Sequence, residues 1–338
     1  MDTKRATLWR AAIVAVAMLP MAAKAEPVKL KLAMFSSDTE MTWVTTIKPW
    51  MDAVNAAGKG IIEIEGYPNG ALGRALPQQS QLVLNDVADI AFVIPGVTPG
   101  RFPDNDVMDL PGLFRNLSEA TRVYTRLMAK HTFKGFEKYV VIGAMGTAPF
   151  TIYSRTKITN LAELKGKKIR TTNASQAATI TALGAVPILL PVPEIPEAIG
   201  RGTIDGATEF PGPLYDFGIN RVTKYDYQLP VGISTLTVLM NKAKYDRLPE
   251  NAKNILKKYS GNWFAKKFIS GYGHYIDGLV AKLGADKSRV RVEPTAADLA
   301  TADKAFKKVA ADCAKKSPRN PALLKAVRET ISQVRSGG

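Results

Sequence analysis

The chain has 338 residues, 46% of them hydrophobic, and its 46 Lys and Arg against 30 Asp and Glu give a formal net charge of +16. A single cysteine, Cys313, excludes an intrachain disulfide and a multi-cysteine metal site, and two isolated histidines, His131 and His274, outside any H-E-x-x-H spacing offer no zinc motif. The basic residues are scattered among acidic ones, without a dense stripe and stacking aromatics, so the charge reads as anion attraction or a diffuse surface effect and not as nucleic-acid binding.

Residues 1–25 read as a cleaved signal peptide. Lys4, Arg5 and Arg10 precede an apolar stretch from Ala11 to Ala23, too short to span a bilayer, and Ala23-Lys24-Ala25 forms an A-x-A cleavage signal. Cleavage removes four positive charges and one negative, leaving +13 on an exported, soluble protein, since no later stretch reaches eighteen uninterrupted apolar residues. The remaining length exceeds a usual single core and predicts two domains.

Along the mature chain, Val28–Phe35 alternates as a strand and leads through Ser36-Ser37-Asp38 into a helix with Met41, Val44, Ile47, Met51 and Val54 on one face. Ile61–Tyr67 is a strand, a helix runs from about Pro77 to Asn85, and residues 88–94 form a buried strand ending at Pro95-Gly96. A helix from Ser118 to about Lys130 precedes strands Tyr139–Met145 and Phe150–Arg155. The rhythm then repeats: strand Lys167–Thr172, helix Ala174–Leu183, strand Val186–Leu190, helix Pro193–Arg201, strand Ile204–Thr208, then strands Tyr225–Pro230 and Thr235–Asn241. After Pro249 a long helical pattern reaches about Leu283, with Gly271, Gly273 and Gly278 as marks of a bend. Thr295 and Asp298 form a capping box, and Asn320-Pro321 an N-cap and N1 pair, for two last helices; Cys313 reads as a small core residue. The alternation predicts two α/β lobes, crossed by strands more than once, that close on a ligand in the cleft between them.

The most informative segment surrounds Arg170. It stands at the end of a short strand, before Thr171, Thr172 and Asn173, where a helix starting near Ala174 would present free N–H groups and a positive dipole end. A guanidinium fork beside them makes an anion receptor suited to a carboxylate; the alternative is an arginine at a strand edge with its head in water. Ser36, Ser37 and Glu40 stand at the carboxyl end of the first strand, as ligand contacts or as a helix cap. Phe92 is ligand wall or core, Phe150 starts the crossing strand and would cover an apolar ligand, and Asn173 is ligand contact or cap. Arg155 is a further basic candidate that reads better as exposed.

In order along the chain come Gly70-Ala71-Leu72-Gly73, Val87-Ala88-Asp89-Ile90-Ala91, Leu161-Ala162-Glu163-Leu164-Lys165-Gly166-Lys167-Lys168-Ile169-Arg170, Leu183-Gly184-Ala185-Val186-Pro187, Gly202-Thr203-Ile204-Asp205-Gly206-Ala207 and Met240-Asn241-Lys242. With these the mature chain resembles the DctP-like extracytoplasmic solute-binding proteins of tripartite ATP-independent periplasmic (TRAP) transporters. The resemblance implies a two-lobed periplasmic binding protein fold of the Venus-flytrap kind, α/β in class, with strands crossing between lobes and a long helix spanning both. Residues 26–148 plus 236–275 would form lobe I, and 149–235 plus 276–338 lobe II. It implies that Arg170 grips the carboxylate of an organic acid, and it puts pocket residues at Thr208-Glu209-Phe210. There Pro211-Gly212-Pro213 departs from common versions by an extra residue, leaving the register open by one position. A Glu–aromatic pair also resembles members that hold a cation beside the acid, but the spacing does not match and no metal is expected. The implied partners are a small organic carboxylate and one small and one large TRAP membrane subunit; the receptor itself is expected in the periplasm as a monomer without cofactor.

Two other readings compete. A receptor for an ATP-driven transporter shares the two-lobe logic but lacks a use for Arg170 with the Gly202–Gly206 motif. An acyl-enzyme would use Ser154-Arg155-Thr156-Lys157 as S-x-x-K, yet K-T-G, S-D-N and G-x-S-x-G are absent, so no enzymatic activity is expected. Phe92, Phe150 and Phe210 would suit an aromatic or otherwise apolar monocarboxylate.

Overall fold

A computed structural model of the chain describes residues 26–337, and the expected signal peptide lies outside the described residues. The first strand, β1 (Val28–Ala33), buries Leu30 and Leu32 and turns Lys29 and Lys31 outward. Its parallel neighbour β2 (Ile62–Tyr67) does the same with Ile62 and Ile64 against Glu63 and Glu65, so that Lys29 and Lys31 face Glu63 and Glu65 across the pair. One-sided alternation therefore sets both the register and the buried face. β3 (Ile90–Val93) is buried throughout and also runs parallel to β1. β4 (Tyr139–Gly146) completes the outward course of the chain in this lobe.

The chain then crosses and builds a second sheet from β5 (Thr151–Ser154), β6 (Lys168–Thr171), β7 (Val186–Leu189), β8 (Gly206–Glu209) and β9 (Tyr225–Tyr227). It returns to the first lobe as β10 (Thr235–Asn241), and β11 (Val290–Val292) ends on the second sheet. The orders are β2-β1-β3-β10-β4 and β11-β9-β5-β8-β6-β7, a mixed α/β architecture in two lobes. The two crossings run side by side. Phe150 N donates to Gly232 O (2.8 Å), Val231 N to Phe150 O (2.9 Å) and Thr147 N to Ser234 O (3.0 Å). Gly232 holds φ +119°, and a Cβ there would stand 2.5 Å from Asp109 O, so this hinge position requires glycine.

The long helical pattern after Pro249 is not one helix. Glu250–Lys258 ends at Gly261, whose φ of +56° breaks the helix, and Asn262–Phe268 follows, packed on β4 with Phe264 against Gly143. A π-helical turn, Ile269–Gly273, then leads into helix His274–Ala285, which contacts helix Pro211–Asp216 of the second lobe. A second π-helical turn, Trp43–Ile47, stands against the first, with Gly271 so close that a Cβ would approach Thr45 O to 2.7 Å.

The C-terminal region straddles both lobes. Helix Ala296–Lys315 carries the Thr295–Asp298 capping box and lies on helix Ala174–Ala182 of the second lobe. Helix Asn320–Arg335 packs instead on helix Leu117–Ala129 of the first, tied by Arg335 to Glu119 (2.8 Å) and by Arg319 to Asp104 (2.9 Å). Asn320 does not cap that helix; it lies inside it, and its side-chain amide donates to Cys313 O (2.7 Å). Strand β8 begins at Gly206, two residues after the expected start at Ile204. Asp205 accepts from Lys168 N (2.9 Å) and its own carbonyl accepts from Arg155 N, which keeps this stretch in a turn.

Candidate ligand-binding site

Arg170 is a strand residue in the interior of the second sheet. β6 lies between β8 and β7, with Arg170 opposite Ala207 on one side and Ile188 on the other. Its side chain is 2% exposed, so the reading of an arginine head in water does not hold. Nε donates to Leu190 O (2.8 Å), and Nη1 to Thr172 Oγ1 (2.9 Å) and Glu209 Oε1 (2.5 Å). Nη2 has no acceptor among the described residues. Glu209 ends β8, and the parallel pairing of β6 with β8 is what brings the two side chains together across 39 positions of sequence.

Arg170 and Glu209 line a cavity of about 70 Å³ between the lobes. Ser36, Phe92, Phe150 and Phe210 line it as well, so six of the eight expected site residues share one space. Phe150 and Phe210 meet edge to face at 5.2 Å, and Phe210 meets Tyr272 likewise at 6.3 Å. The other two stand elsewhere. Thr208 Oγ1 lies 3.1 Å from Arg170 O and 3.0 Å from Gln176 Oε1, which braces the strand behind the arginine. Asn173 caps helix Ala174–Ala182 by accepting from Gln176 N (2.8 Å), and it borders an adjoining groove.

Sequence reasoning missed Phe35, Thr42, Phe217 and Tyr272 in the cavity wall. Tyr272 belongs to the π-helical turn 269–273, where the extra residue per turn rotates side chains away from the face that α-helical spacing assigns. Phe35 stands two residues past the end of β1 and 6.0 Å from Phe92, ring to ring; its place at a strand's carboxyl end was the available signal.

The electrostatics are uneven. Among the lining residues Arg170 is the one cation, against Glu40 and Glu209. Burial pushes the Glu209 carboxyl up to about 7, with Arg170 pulling the other way, and the same desolvation holds the Arg170 guanidinium below its ordinary value. Burial also pushes Glu40 up to about 7, opposed by hydrogen bonds from Thr42 N (3.0 Å), Thr42 Oγ1 (2.8 Å) and Trp43 N (3.3 Å). Ser36 Oγ lies 3.4 Å from Glu40, which caps the turn that follows. A guanidinium and two carboxylates thus share one space with aromatic walls.

Among the described residues the sequence's S-x-x-K serine and lysine are not brought together with this site. Ser154 Oγ is bound into its own turn at Thr156 O (2.8 Å) and Asp205 O (3.0 Å), while Lys157 is 65% exposed and pairs with Glu163. Arg155 is exposed, beside Gly202. Among the described residues, no cluster of three or more His, Cys, Asp and Glu could hold a metal ion, and no helix is long and apolar enough to cross a membrane.

Residues 33–317 match the family model of the bacterial extracellular solute-binding proteins, family 7. The C4-dicarboxylate-binding periplasmic protein DctP of Rhodobacter capsulatus is 27% identical over 202 residues, 59% of this chain, and the match spans 61% of that protein's length. Among solved structures, a marine metagenome TRAP solute-binding protein specific for aromatic acid ligands, co-crystallized with 3-hydroxybenzoate, superimposes with a TM-score of 0.83. It is 26% identical, with 91% of this chain and 99% of that one covered. A TRAP solute-binding protein of Rhodoferax ferrireducens T118 in complex with copurified benzoate gives 0.81 at 26% identity, covering 92% of this chain and 100% of its own.

Proposed function

Since the chain belongs to family 7 of the bacterial extracellular solute-binding proteins, which are receptors of TRAP transporters and not enzymes, we propose that it captures an aromatic monocarboxylate and delivers it to the TRAP membrane subunits. The observation that carries this reading is Arg170, buried at the wall of a cavity that Phe35, Phe92, Phe150 and Phe210 also line. The ligand carboxylate takes the guanidinium, where Nη2 is unengaged by the described residues, and the ring lies among the phenylalanines. Desolvation inside the cleft strengthens the ion pair. The cavity has room for the centres of about five water molecules, which suits a single ring acid better than a long chain. The solved relatives at 26% identity that hold 3-hydroxybenzoate and benzoate support the same class. The receptor acts as a monomer in the periplasm, exported by the segment 1–25, and hands the acid to one small and one large membrane subunit.

A thermal-shift screen over organic acids tests this, because a ligand that binds only the folded state raises the melting temperature by mass action. Benzoate and 3-hydroxybenzoate are expected to stabilise the protein, and Arg170→Ala to lose that stabilisation. An unchanged shift in the variant would remove Arg170 as the anchor.

A further inference from the structure

The Arg170 guanidinium is already engaged by a carboxylate of its own chain. Glu209 Oε1 lies 2.5 Å from Nη1, and the two side chains are 3% and 2% exposed. Glu209 thus already neutralises, through Nη1, the guanidinium that the proposed function assigns to a ligand. The charged and titratable groups around Glu209 are few. Arg170 faces it from β6, Glu40 enters the cavity from the loop after β1, and Tyr272 from the π-helical turn Ile269–Gly273, with Asp216 interacting with both Glu40 and Tyr272. No second cation lines the cavity among the described residues, and the phenylalanine walls offer no compensating charge.

A ligand carboxylate that reached Arg170 while Glu209 stayed ionised would put two anions on one guanidinium in a dry space. Carboxylates that share such a site do not both remain charged; one of them binds a proton.

We propose that Glu209 is the exchange partner of Arg170, so that each ligand carboxylate is bound together with one proton taken up from solvent by Glu209. The balance is simple: the ionised ligand and one proton enter, the guanidinium passes from Glu209 to the ligand, and Glu209 remains as a neutral carboxyl able to donate its O–H. No covalent bond is made or broken apart from that O–H. The inference rests on the reading of Arg170 as the carboxylate anchor. Burial already holds the Glu209 carboxyl at about 7 beside Arg170, so the proton is within reach near neutral pH.

Titration calorimetry tests the exchange on the wild-type protein without any substitution. The probe is whichever of benzoate, 3-hydroxybenzoate and mandelate gives the largest thermal shift, measured at about pH 8 in two buffers of different ionisation enthalpy. The heats are expected to differ by about one proton per acid bound, and Kd to be level below about pH 7 and to weaken about tenfold per pH unit above it. Glu209→Gln is expected to abolish both the buffer difference and the slope. Equal heats and a pH-independent Kd in a protein whose binding is lost in Arg170→Ala would overturn the exchange and leave the receptor reading standing. Proton uptake that survives Glu209→Gln and vanishes in Glu40→Gln would assign the proton to Glu40 and also overturn it. If none of the acids binds, or if binding survives Arg170→Ala, the receptor reading fails and the exchange fails with it.

Discussion

The second lobe holds two buried arginine–carboxylate pairs, and they are built to opposite ends. Arg289, beside β11, grips Asp226 of β9 with both prongs. Its remaining donors go to Asn220 O (3.0 Å), Thr223 O (2.9 Å) and Thr223 Oγ1 (3.1 Å). Arg170 meets Glu209 through Nη1 alone, leaves Nη2 without an acceptor among the described residues, and stands in a cavity wall. Similar burial therefore does not mean similar duty. A guanidinium with its fork fully satisfied by the protein has no donor to offer a ligand, whereas one that leaves Nη2 without an acceptor beside a cavity does.

The largest effect expected from breaking this contrast is on stability. Arg289→Ala strands the fully buried Asp226 without its partner, and breaking a buried pair of this kind costs about 3–5 kcal/mol. Arg170→Ala is expected to cost less than half as much, because Glu209 stands close enough to neutrality to take a proton. Urea unfolding of the two variants side by side checks the order; equal losses would erase the distinction. The next effect reverses the ranking. For ligand affinity, Arg170→Ala is expected to lose about 2–5 kcal/mol, and a folded Arg289 variant such as Arg289→Lys to lose little. Arg170→Lys is not expected to rescue, since a point charge does not reproduce the fork.

The two pairs also differ in how far sequence reveals them. Arg170 is legible because the strand, the polar turn and the helix start that define it are contiguous, and because the ordered motifs around it resemble a family. Its partnership with Glu209 is not legible, for it depends on β6 lying beside β8 with 39 positions between them. Arg289 and Asp226 are 63 apart, one just before β11 and the other in β9, strands of three residues each that escape any periodicity argument. Strands β1 and β2 were readable from one-sided alternation, whereas the helical stretch after Pro249 read as continuous. Its break at Gly261 and its π-helical turn come from tertiary fits, at Ile142 O and at Thr45, that local propensity does not record. Tyr272 was lost for the same reason.

A third effect sharpens the comparison through pH. Burial holds Glu209 and Glu40 at about 7 in the folded protein against an ordinary value of 4.5. Folding thus favours their protonated forms. Their contribution to stability is complete below about pH 4.5, declines as pH rises towards 7, and is level above that. Each accounts for about 3 kcal/mol at most. Melting temperatures of the ligand-free protein between about pH 5 and pH 8 are expected to fall, and Glu209→Gln and Glu40→Gln each to remove part of the fall. A slope unchanged in both variants would mean that neither carboxyl is held up in solution.

The smallest effect is expected at Gly96, where the two lobes touch just behind Arg170. A Cβ there would stand 2.7 Å from Asp109 Oδ2 and 3.0 Å from Asn173 Cβ. The two neighbours act on different equilibria. Asp109 belongs to the same lobe as Gly96, so that crowding is present whether the lobes are apart or together, and it bears on stability alone. Asn173 belongs to the other lobe and is fixed by capping its helix, so it cannot yield, and that crowding exists only when the lobes close. Gly96→Ala should therefore disfavour the closed state by about 1 kcal/mol and weaken benzoate binding by a factor of about five, beyond any loss of folding stability. Ligand affinity measured well below the melting temperature separates the two terms, since only closure enters it. An affinity equal to wild type in a destabilised Gly96→Ala protein would place the whole cost on Asp109 and deny the Gly96–Asn173 contact a part in closure.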